Sequence, residues 1–426
     1  MLLFQPGYHC RGSGGASTPR RPEMVLRKSR FAGLATLSLL VVSAIPLRTT
    51  DISVGLRRSQ ATAVVGKQLA ELEDWDTARG DEFGAQVDVS SNTAVVGSGI
   101  GKAYVFMRSG PAWQEASQLR GSDTVKGDGF GESVAVSGAS AVIGAAGRAS
   151  DAGRVYVFTE TPARWKQTAE LKGSDTVKGD YFGGAVAISG NTIVVGSVGS
   201  ASTAGRVYVF TRNASGWSQT AELKGSDTAK GDFFGESLTI SGAAVVVGVS
   251  HHGLFAGRAY VFAHSTNGWH QTAELQGADT VFNDSFGSSV SISGTTVVVG
   301  ASGAHNYAGR AYVFTKATSG WKQTGELKGS DTAALDAFGD AVSVSGSTIA
   351  IGSMDHGSDA GRAYVFTRFA TGWDQTAELK GADTRAGDRF GVSVAISGST
   401  IVVGAMGHAH SSGRVYVFGL TAARLS

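Results

Sequence analysis

The fold is decided by a nine-residue stretch that recurs along the chain, D-T-V-K-G-D-Y-F-G at positions 175–183. Its closing Phe-Gly pair occurs seven times, at Phe83, Phe130, Phe182, Phe234, Phe286, Phe338 and Phe390. The first two of these phenylalanines lie 47 residues apart, and the others follow at intervals of 52. Periods of this length are typical of propellers and solenoids, in which each unit buries its faces against its neighbours.

Each repeat predicts four short strands, which we call A to D in chain order. In the third repeat, strand A is 185–188, strand B 193–195, strand C 206–210 and strand D 217–223. Strands B and C are apolar on both faces, as expected for sheets that lie between other sheets. Tight Ser-Gly turns join strands A and B.

The ends of the repeat region predict how the ring closes. The last repeat stops after strand C, at 416–418, and the first recognisable segment is a lone strand D at 68–72. Seven complete blades exist only if this N-terminal strand completes the last one. We therefore predict an all-β, seven-bladed propeller of four-stranded blades, in which closure removes the free sheet edges.

These repeats resemble the FG-GAP repeat family, which forms the propeller of integrin α-subunits and of many microbial surface proteins. The resemblance rests on Asp-x-x-x-x-Asp-x-Phe-Gly, a Ser-Gly turn, Val-Gly after strand B and Tyr-Val-Phe in strand C, over residues 67–418. It implies the propeller fold and fixes no activity. Integrin-type repeats carry an Asp-rich calcium loop between strands A and B, where this chain has a bare turn. We expect no cofactor, with calcium as the alternative.

The N-terminal residues predict export. Arg27, Lys28 and Arg30 precede the apolar run 31–44, as in a secretory signal. We divide the chain into an upstream extension (1–23), a signal peptide or signal anchor (24–47), a linker (48–64), the propeller (65–420) and a tail (421–426). An organellar transit peptide is an alternative. The predicted location is secreted or cell-surface, with membrane contact only through an anchor.

The distribution of charge excludes nucleic acid as a partner. Residues 1–60 contain nine Lys/Arg and two Asp/Glu, whereas the rest of the chain contains 28 and 33. The body of the protein is therefore acidic, and a phosphate-binding surface needs a basic face. The only cysteine is Cys10, so no disulfide forms within the chain.

The D–A loops carry two aspartates in each repeat, such as Asp175 and Asp180. Calcium takes six to eight oxygen ligands, so we interpret these carboxylates as caps of backbone amides in a turn. A Gly-Arg pair precedes strand C in most repeats. Because the D–A and B–C loops share one face of the disc, we expect these arginines to pair with the loop aspartates.

The B–C loops vary between repeats, which makes them candidates for a binding surface. They hold six of the nine histidines of the chain, in four consecutive blades. A metal site is the less favoured alternative, because the loops belong to separate blades and no loop offers more than a His-x-His pair of ligands. The candidate binding residues are His251, His252, His305, Tyr307, Asp355, His356, His408 and His410.

Three carboxylates form a second candidate group at the mouth of the central channel. Glu132, Glu236 and Asp340 directly follow Phe-Gly in the second, fourth and sixth repeats. Converging there, they could bind a cation or supply acid–base chemistry. Solvated charges at the rim are the alternative. Asn213 and Asn283 begin N-glycosylation sequons.

The function predicted from these features is extracellular recognition or adhesion, with a protein or carbohydrate bound by loops on one propeller face. No catalytic motif appears, so an enzyme is the less favoured interpretation. A carbohydrate-active or hydrolytic enzyme would use the carboxylates at the channel mouth. A structural envelope component is a further alternative and predicts self-association.

Overall fold

The computed structural model describes residues 64–74, 76–99 and 101–422. The predicted upstream extension, the signal segment and almost all of the linker lie outside this part of the chain, as do the last four residues of the predicted tail. Within the described ranges, no helix is both long enough and apolar enough to cross a bilayer.

The chain forms seven antiparallel four-stranded sheets, the blades of the predicted seven-bladed β-propeller. Blades 1 to 3 consist of β2 (Gln86–Ser90), β3 (Thr93–Ser98), β4 (Lys102–Ser109), β5 (Ala112–Leu119); β6 (Phe130–Ser137), β7 (Ser140–Ala145), β8 (Arg154–Glu160), β9 (Trp165–Leu171); and β10 (Phe182–Ser189), β11 (Thr192–Ser197), β12 (Arg206–Asn213), β13 (Gly216–Leu223). Blades 4 to 6 consist of β14 (Ser237–Ser241), β15 (Ala244–Val249), β16 (Arg258–Ser265), β17 (Gly268–Leu275); β18 (Phe286–Ser293), β19 (Thr296–Ala301), β20 (Arg310–Ala317), β21 (Gly320–Leu327); and β22 (Val342–Ser345), β23 (Thr348–Ser353), β24 (Arg362–Phe369), β25 (Gly372–Leu379). Blade 7 consists of β26 (Phe390–Ser397), β27 (Thr400–Ala405), β28 (Arg414–Ala422) and the N-terminal β1 (Val64–Leu72).

Closure of the ring by the N-terminal strand is confirmed. β1 pairs antiparallel with β28, in a register that places Leu72 opposite Val415. The amide of Ser91 in blade 1 donates a hydrogen bond to the hydroxyl oxygen of Ser397 in blade 7, at 3.0 Å. β28 ends at Ala422, two residues into the predicted tail.

The core lies between neighbouring blades, where Val155 and Val157 of blade 2 cluster with Phe182 and Tyr208 of blade 3. Phe182 is fully buried and packs edge-on against Tyr208 and Phe210, with ring centroids 5.5 and 6.0 Å apart. The repeated glycines allow adjacent blades to approach. A Cβ atom on Gly196 would overlap the carbonyl oxygen of Gly235 in the next blade, so only glycine fits there.

The first strand of each blade lines the central channel and leaves one backbone edge unpaired by a strand. Side chains of the preceding blade satisfy some of these amides. The Ser343 hydroxyl oxygen accepts from the Ile396 amide at 3.1 Å, and Asp88 Oδ2 accepts from the Val136 amide at 2.7 Å. Burial raises the pKa of Asp88 to about 6.

Short helical turns occupy the B–C loops of blades 2 to 7. Each turn contains three consecutive residues with positive φ, such as His305, Asn306 and Tyr307 at 55°, 60° and 63°. Left-handed backbone is costly for residues other than glycine, so these loops are strained. The turns are α1 (Arg148–Asp151), α2 (Ser200–Thr203), α3 (His252–Phe255), α4 (Ala304–Tyr307), α5 (His356–Asp359) and α6 (His408–Ser411).

Candidate functional site

The D–A and B–C loops lie together on one face of the propeller, which we call the loop face. The third left-handed residue of each B–C turn offers its carbonyl oxygen to the residue before Phe-Gly in the next blade. The Tyr181 amide donates to Asp151 O at 2.7 Å, and the Ser285 amide donates to Phe255 O at 2.8 Å. These bonds between blades hold the B–C turns in their strained conformation.

The strain predicts a stabilising substitution. Leu254 has φ 59° and is 75% exposed, so its side chain contributes little burial. Leu254→Gly removes the left-handed penalty, and we expect the free energy of unfolding to rise by about 0.5–1 kcal/mol. Denaturant titration measures the change. Leu254→Ala keeps the Cβ atom and is the matched control; equal stability of the two variants would contradict strain at this position.

The paired aspartates of the D–A loops are both engaged in the fold, but only the second caps a backbone amide as predicted, whereas the first binds a tyrosine hydroxyl. Asp180 Oδ2 accepts from the Val177 amide, and Asp175 Oδ1 accepts from the Tyr208 hydroxyl, both at 2.8 Å. Burial and this hydrogen bond raise the pKa of Tyr208. No group of three or more His, Cys, Asp or Glu side chains within the described residues has the geometry of a metal site.

The arginines before strand C have a different partner from the one expected. Arg206 Nε lies 2.7 Å from Glu222 Oε1 on strand D, and the same Arg–Glu pair recurs in blades 2 to 6. The expected pairing with the loop aspartates was wrong for these blades because residues at the start of strand C and near the end of strand D face each other across the hairpin. Lys102 in blade 1 does pair with a loop aspartate, Asp76, at 2.6 Å.

The structure distributes the six loop histidines over three environments. His305 and His410 are exposed on the left-handed turns, whereas His251 is half-buried beside Glu236. The other three occupy one position of the repeat, and each lies between the two aspartates of its own blade. Their Nδ1 and Nε2 distances to these carboxylates are 2.9 and 3.6 Å for His252, 2.8 and 3.5 Å for His356, and 3.0 and 3.5 Å for His408.

These three histidines therefore stabilise their loops by linking each B–C turn to the aspartates of the D–A loop. Their side chains are only 11–17% exposed. In blade 2 the same position is Arg148, which lies 2.6 Å from Asp123. An arginine or histidine at this place lies within hydrogen-bonding distance of the aspartates of the turn, so its presence is explained without a ligand.

Glu236 and His251 form a polar pair that sequence reasoning did not bring together. His251 Nδ1 lies 3.1 Å from Glu236 Oε2, and Glu236 also accepts from the Ser250 amide. The imidazole lies between the rings of Phe233 and Phe255, with centroids 4.8 and 4.9 Å away. Phe233 was missed, although the residue before Phe-Gly differs in every repeat and comparison of the repeats would have singled it out.

Asp340 lies in blade 6 beside Asp355. Its Oδ2 atom is buried and has no hydrogen-bond partner among the described residues. Burial, followed by the charge of Asp355, raises the pKa of Asp340 to about 6, while Ser302 and Arg389 act in the opposite direction. Burial also raises the pKa of Asp355.

The three predicted channel carboxylates thus interact with different groups. Glu236 is bound by its own B–C loop, and Asp340 faces Asp355 of its own blade. Glu132 folds back over Gly129, where a Cβ atom would meet its carboxylate.

Exposed apolar side chains are concentrated on the loop face. Among the described residues, every large hydrophobic side chain with high exposure except Leu69 belongs to a D–A or B–C loop. The loop residues and their exposed fractions are Val125 (64%), Val177 (62%), Leu254 (75%), Phe255 (38%), Val281 (62%), Phe282 (64%) and Leu335 (60%). Leu254, Phe255, Val281 and Phe282 flank one junction between blades 4 and 5, and we call these four residues the apolar patch.

The two sequons lie on opposite faces. Asn213 is exposed at the end of β12, in the C–D hairpin, and its side-chain oxygen accepts from the Ser215 amide at 2.8 Å. Asn283 is exposed in a D–A loop on the loop face, with φ 71°. A glycan at Asn283 would stand beside the apolar patch.

Comparison with known proteins identifies the repeat. The family model described as FG-GAP repeat matches six times, each match running from strand D of one blade to strand C of the next. The matched ranges are 113–158, 165–210, 217–262, 269–314, 321–366 and 373–418. A search of curated proteins found no match. Strands A to C of blade 1 lie outside the matched ranges.

Proposed function

The chain belongs to the FG-GAP repeat family, and we propose on this basis that it is an extracellular or cell-surface recognition module. The FG-GAP propeller supports a ligand-binding or adhesion-type module in general terms. Our finer proposal is that the loop face binds a protein or a carbohydrate, with a protein favoured.

The observation that carries this proposal is the one-sided distribution of exposed apolar side chains. Apolar residues clustered on the surface of a soluble protein are characteristic of interaction sites. Here they stand on loops held by a rigid disc, the arrangement in which binding residues are commonly found. Protein interfaces are enriched in aromatic residues, and Phe282 suits the role of a buried anchor, with Leu254 adding apolar area beside it.

The proposed location is the cell surface or the extracellular space. Support comes from the basic residues and the apolar run at 31–44, which have the pattern of a signal segment. The acidic body of the protein and the single cysteine are compatible with that location, because packing and ring closure hold the propeller together without a disulfide.

An array of secreted proteins and glycans, probed with the purified protein, tests the proposal. We expect specific protein partners whose binding is lost in the double variant Leu254→Ser/Phe282→Ser. Leu69→Ser is the matched control, because Leu69 is the exposed large hydrophobic side chain outside the loop face among the residues that the structure describes. Thermal unfolding confirms that each variant is folded. A blank array together with self-association would favour a structural envelope component and would refute the proposal.

A further inference from the structure

Blade 1 breaks the sevenfold repeat on the loop face. Its B–C connection runs from the end of β3 at Ser98 to Lys102, whereas in blade 3 it runs from Ser197 to Arg206. This difference of five residues accounts for the single spacing of 47 rather than 52. The described residues of this short connection therefore form no left-handed turn of the kind that covers the D–A loop of the next blade elsewhere. In the described chain, Gly129 lacks the amide bond that Tyr181 makes at the same position of blade 3.

The missing turn leaves a cavity between blades 1 and 2, which we call the gap pocket. Its volume is about 290 Å³. Lys102, Arg120 and Lys126 contribute three cations to its wall, and Asp81 contributes one carboxylate. The uncharged residues Gly101, Thr124 and Val125 form the rest of the wall.

The charges of the gap pocket are incompletely neutralised. Lys102 is paired with Asp76, and Asp81 Oδ2 accepts from the Ala78 amide. Arg120 donates to the neutral side-chain oxygen of Gln118, at 3.2 Å. Neither Arg120 nor Lys126 has a carboxylate partner within the described part of the chain. The pocket can therefore offer two cations from different ends of one loop to an incoming anion.

We propose that the gap pocket binds an acidic side chain of a partner protein, presented on a peptide segment. The inference rests on the proposed recognition function and adds a second contact on the same face. An acidic peptide is favoured over an acidic glycan because its carboxylates complement the unpaired cations of Arg120 and Lys126, and because no aromatic ring among the described residues lines the pocket. The volume lies at the lower end of the range for small-molecule sites and suits one or two side chains.

Fluorescein-labelled hexaglutamate is the probe, and its fluorescence anisotropy at low salt is the measurement. Lys126→Gln and Lys178→Gln are matched variants, since both lysines stand in the same sequence, D-T-V-K-G-D, and only Lys126 borders the gap pocket. We expect Lys126→Gln to weaken hexaglutamate binding at least about fivefold and Lys178→Gln to change it less than about twofold. Hexalysine should not bind at the same concentration.

A second variant tests the gap itself without removing a charge. Replacing residues 99–101 with residues 198–205 gives blade 1 the turn of blade 3, and we expect hexaglutamate binding to fall at least about tenfold. The inference would be refuted if Lys126→Gln and Lys178→Gln weakened hexaglutamate binding equally. It would also be refuted if the variant with the replaced 99–101 segment bound hexaglutamate as tightly as the unchanged protein. Binding of oligogalacturonate but not hexaglutamate at Lys126 would assign the pocket to an acidic glycan instead. If array partners persist while hexaglutamate fails to bind, the recognition function stands and the pocket assignment falls.

Discussion

A chain that begins at residue 74, without β1, is expected to form no stable propeller, whereas a chain that begins at residue 62 folds. Without β1, blade 7 loses its fourth strand and β28 exposes a full backbone edge. Leu72, only 2% exposed, also leaves the core between blades. Burying a leucine contributes about 1.5–3 kcal/mol, and each of several ladder hydrogen bonds adds about 0.5–1.5 kcal/mol. The sum approaches the whole stability of a typical domain, about 5–15 kcal/mol.

Size-exclusion chromatography and thermal unfolding measure this effect. The shorter chain should elute as aggregate, because an uncovered edge strand pairs with other chains. Adding a synthetic peptide of residues 62–73 should restore part of the monomer by occupying the vacant edge. A monomeric chain from residue 74 with an unchanged melting temperature would show that the ring is stable without its closing strand.

The fold could be predicted from the sequence because the same pattern of short apolar strands recurs in seven repeats. A single Tyr-Val-Phe segment such as 208–210 does not distinguish a propeller strand from any other buried strand. Seven copies at a constant spacing do, and the lone strand D before the first Phe-Gly then fixes the closure. The count of strands, rather than any single propensity, carried the prediction.

The conformation of the B–C loops could not be predicted in this way. His305, Asn306 and Tyr307 all adopt left-handed backbone, although this segment contains no glycine to signal it. The conformation is held by the carbonyl of Tyr307, which accepts from the Ala337 amide of the next blade at 2.8 Å. Because this hydrogen bond joins two blades, the sequence of residues 305–307 alone does not predict their left-handed conformation.

The candidate site was predicted only in outline. The variable B–C loops do lie on one face, but their histidines do not form one surface. His252 and His408 occupy the same repeat position and brace aspartates, while His251, one residue before His252, turns to Glu236. Aligning the repeats residue by residue separates these two positions. The exposed apolar patch was missed because Leu254 and Phe282 belong to different loops that only the ring brings together.

Asp340→Asn is expected to stabilise the protein at neutral pH. The pKa of Asp340 is about 6, above the value of 3.8 for a free aspartate, so the folded state binds its proton more tightly than the unfolded state. As pH rises from about 4 to 6, Asp340 loses its proton in the unfolded chain before it does so in the folded chain, and the free energy of unfolding falls. Well above pH 6, Asp340 is ionised in both states, and the full cost of burying its charge is present. A shift of this size corresponds to about 3 kcal/mol. Asparagine carries no charge, so the variant should gain about 2–3 kcal/mol at pH 8 and almost nothing at pH 4.

Denaturant titrations at pH 4, 6 and 8 measure this prediction, and Asp88→Asn is the matched control. Asp88 has a pKa raised by burial to about 6 as well, but its oxygens accept from the Val89 and Val136 amides. Asparagine at position 88 loses one of these acceptors, so we expect no comparable gain at pH 8. Equal pH profiles for wild type and Asp340→Asn would refute the burial of the Asp340 charge. If the predicted gain is found, Asp340 lowers stability at neutral pH without compensation from the fold, and loss of partner binding in the same variant would identify recognition as the reason for it.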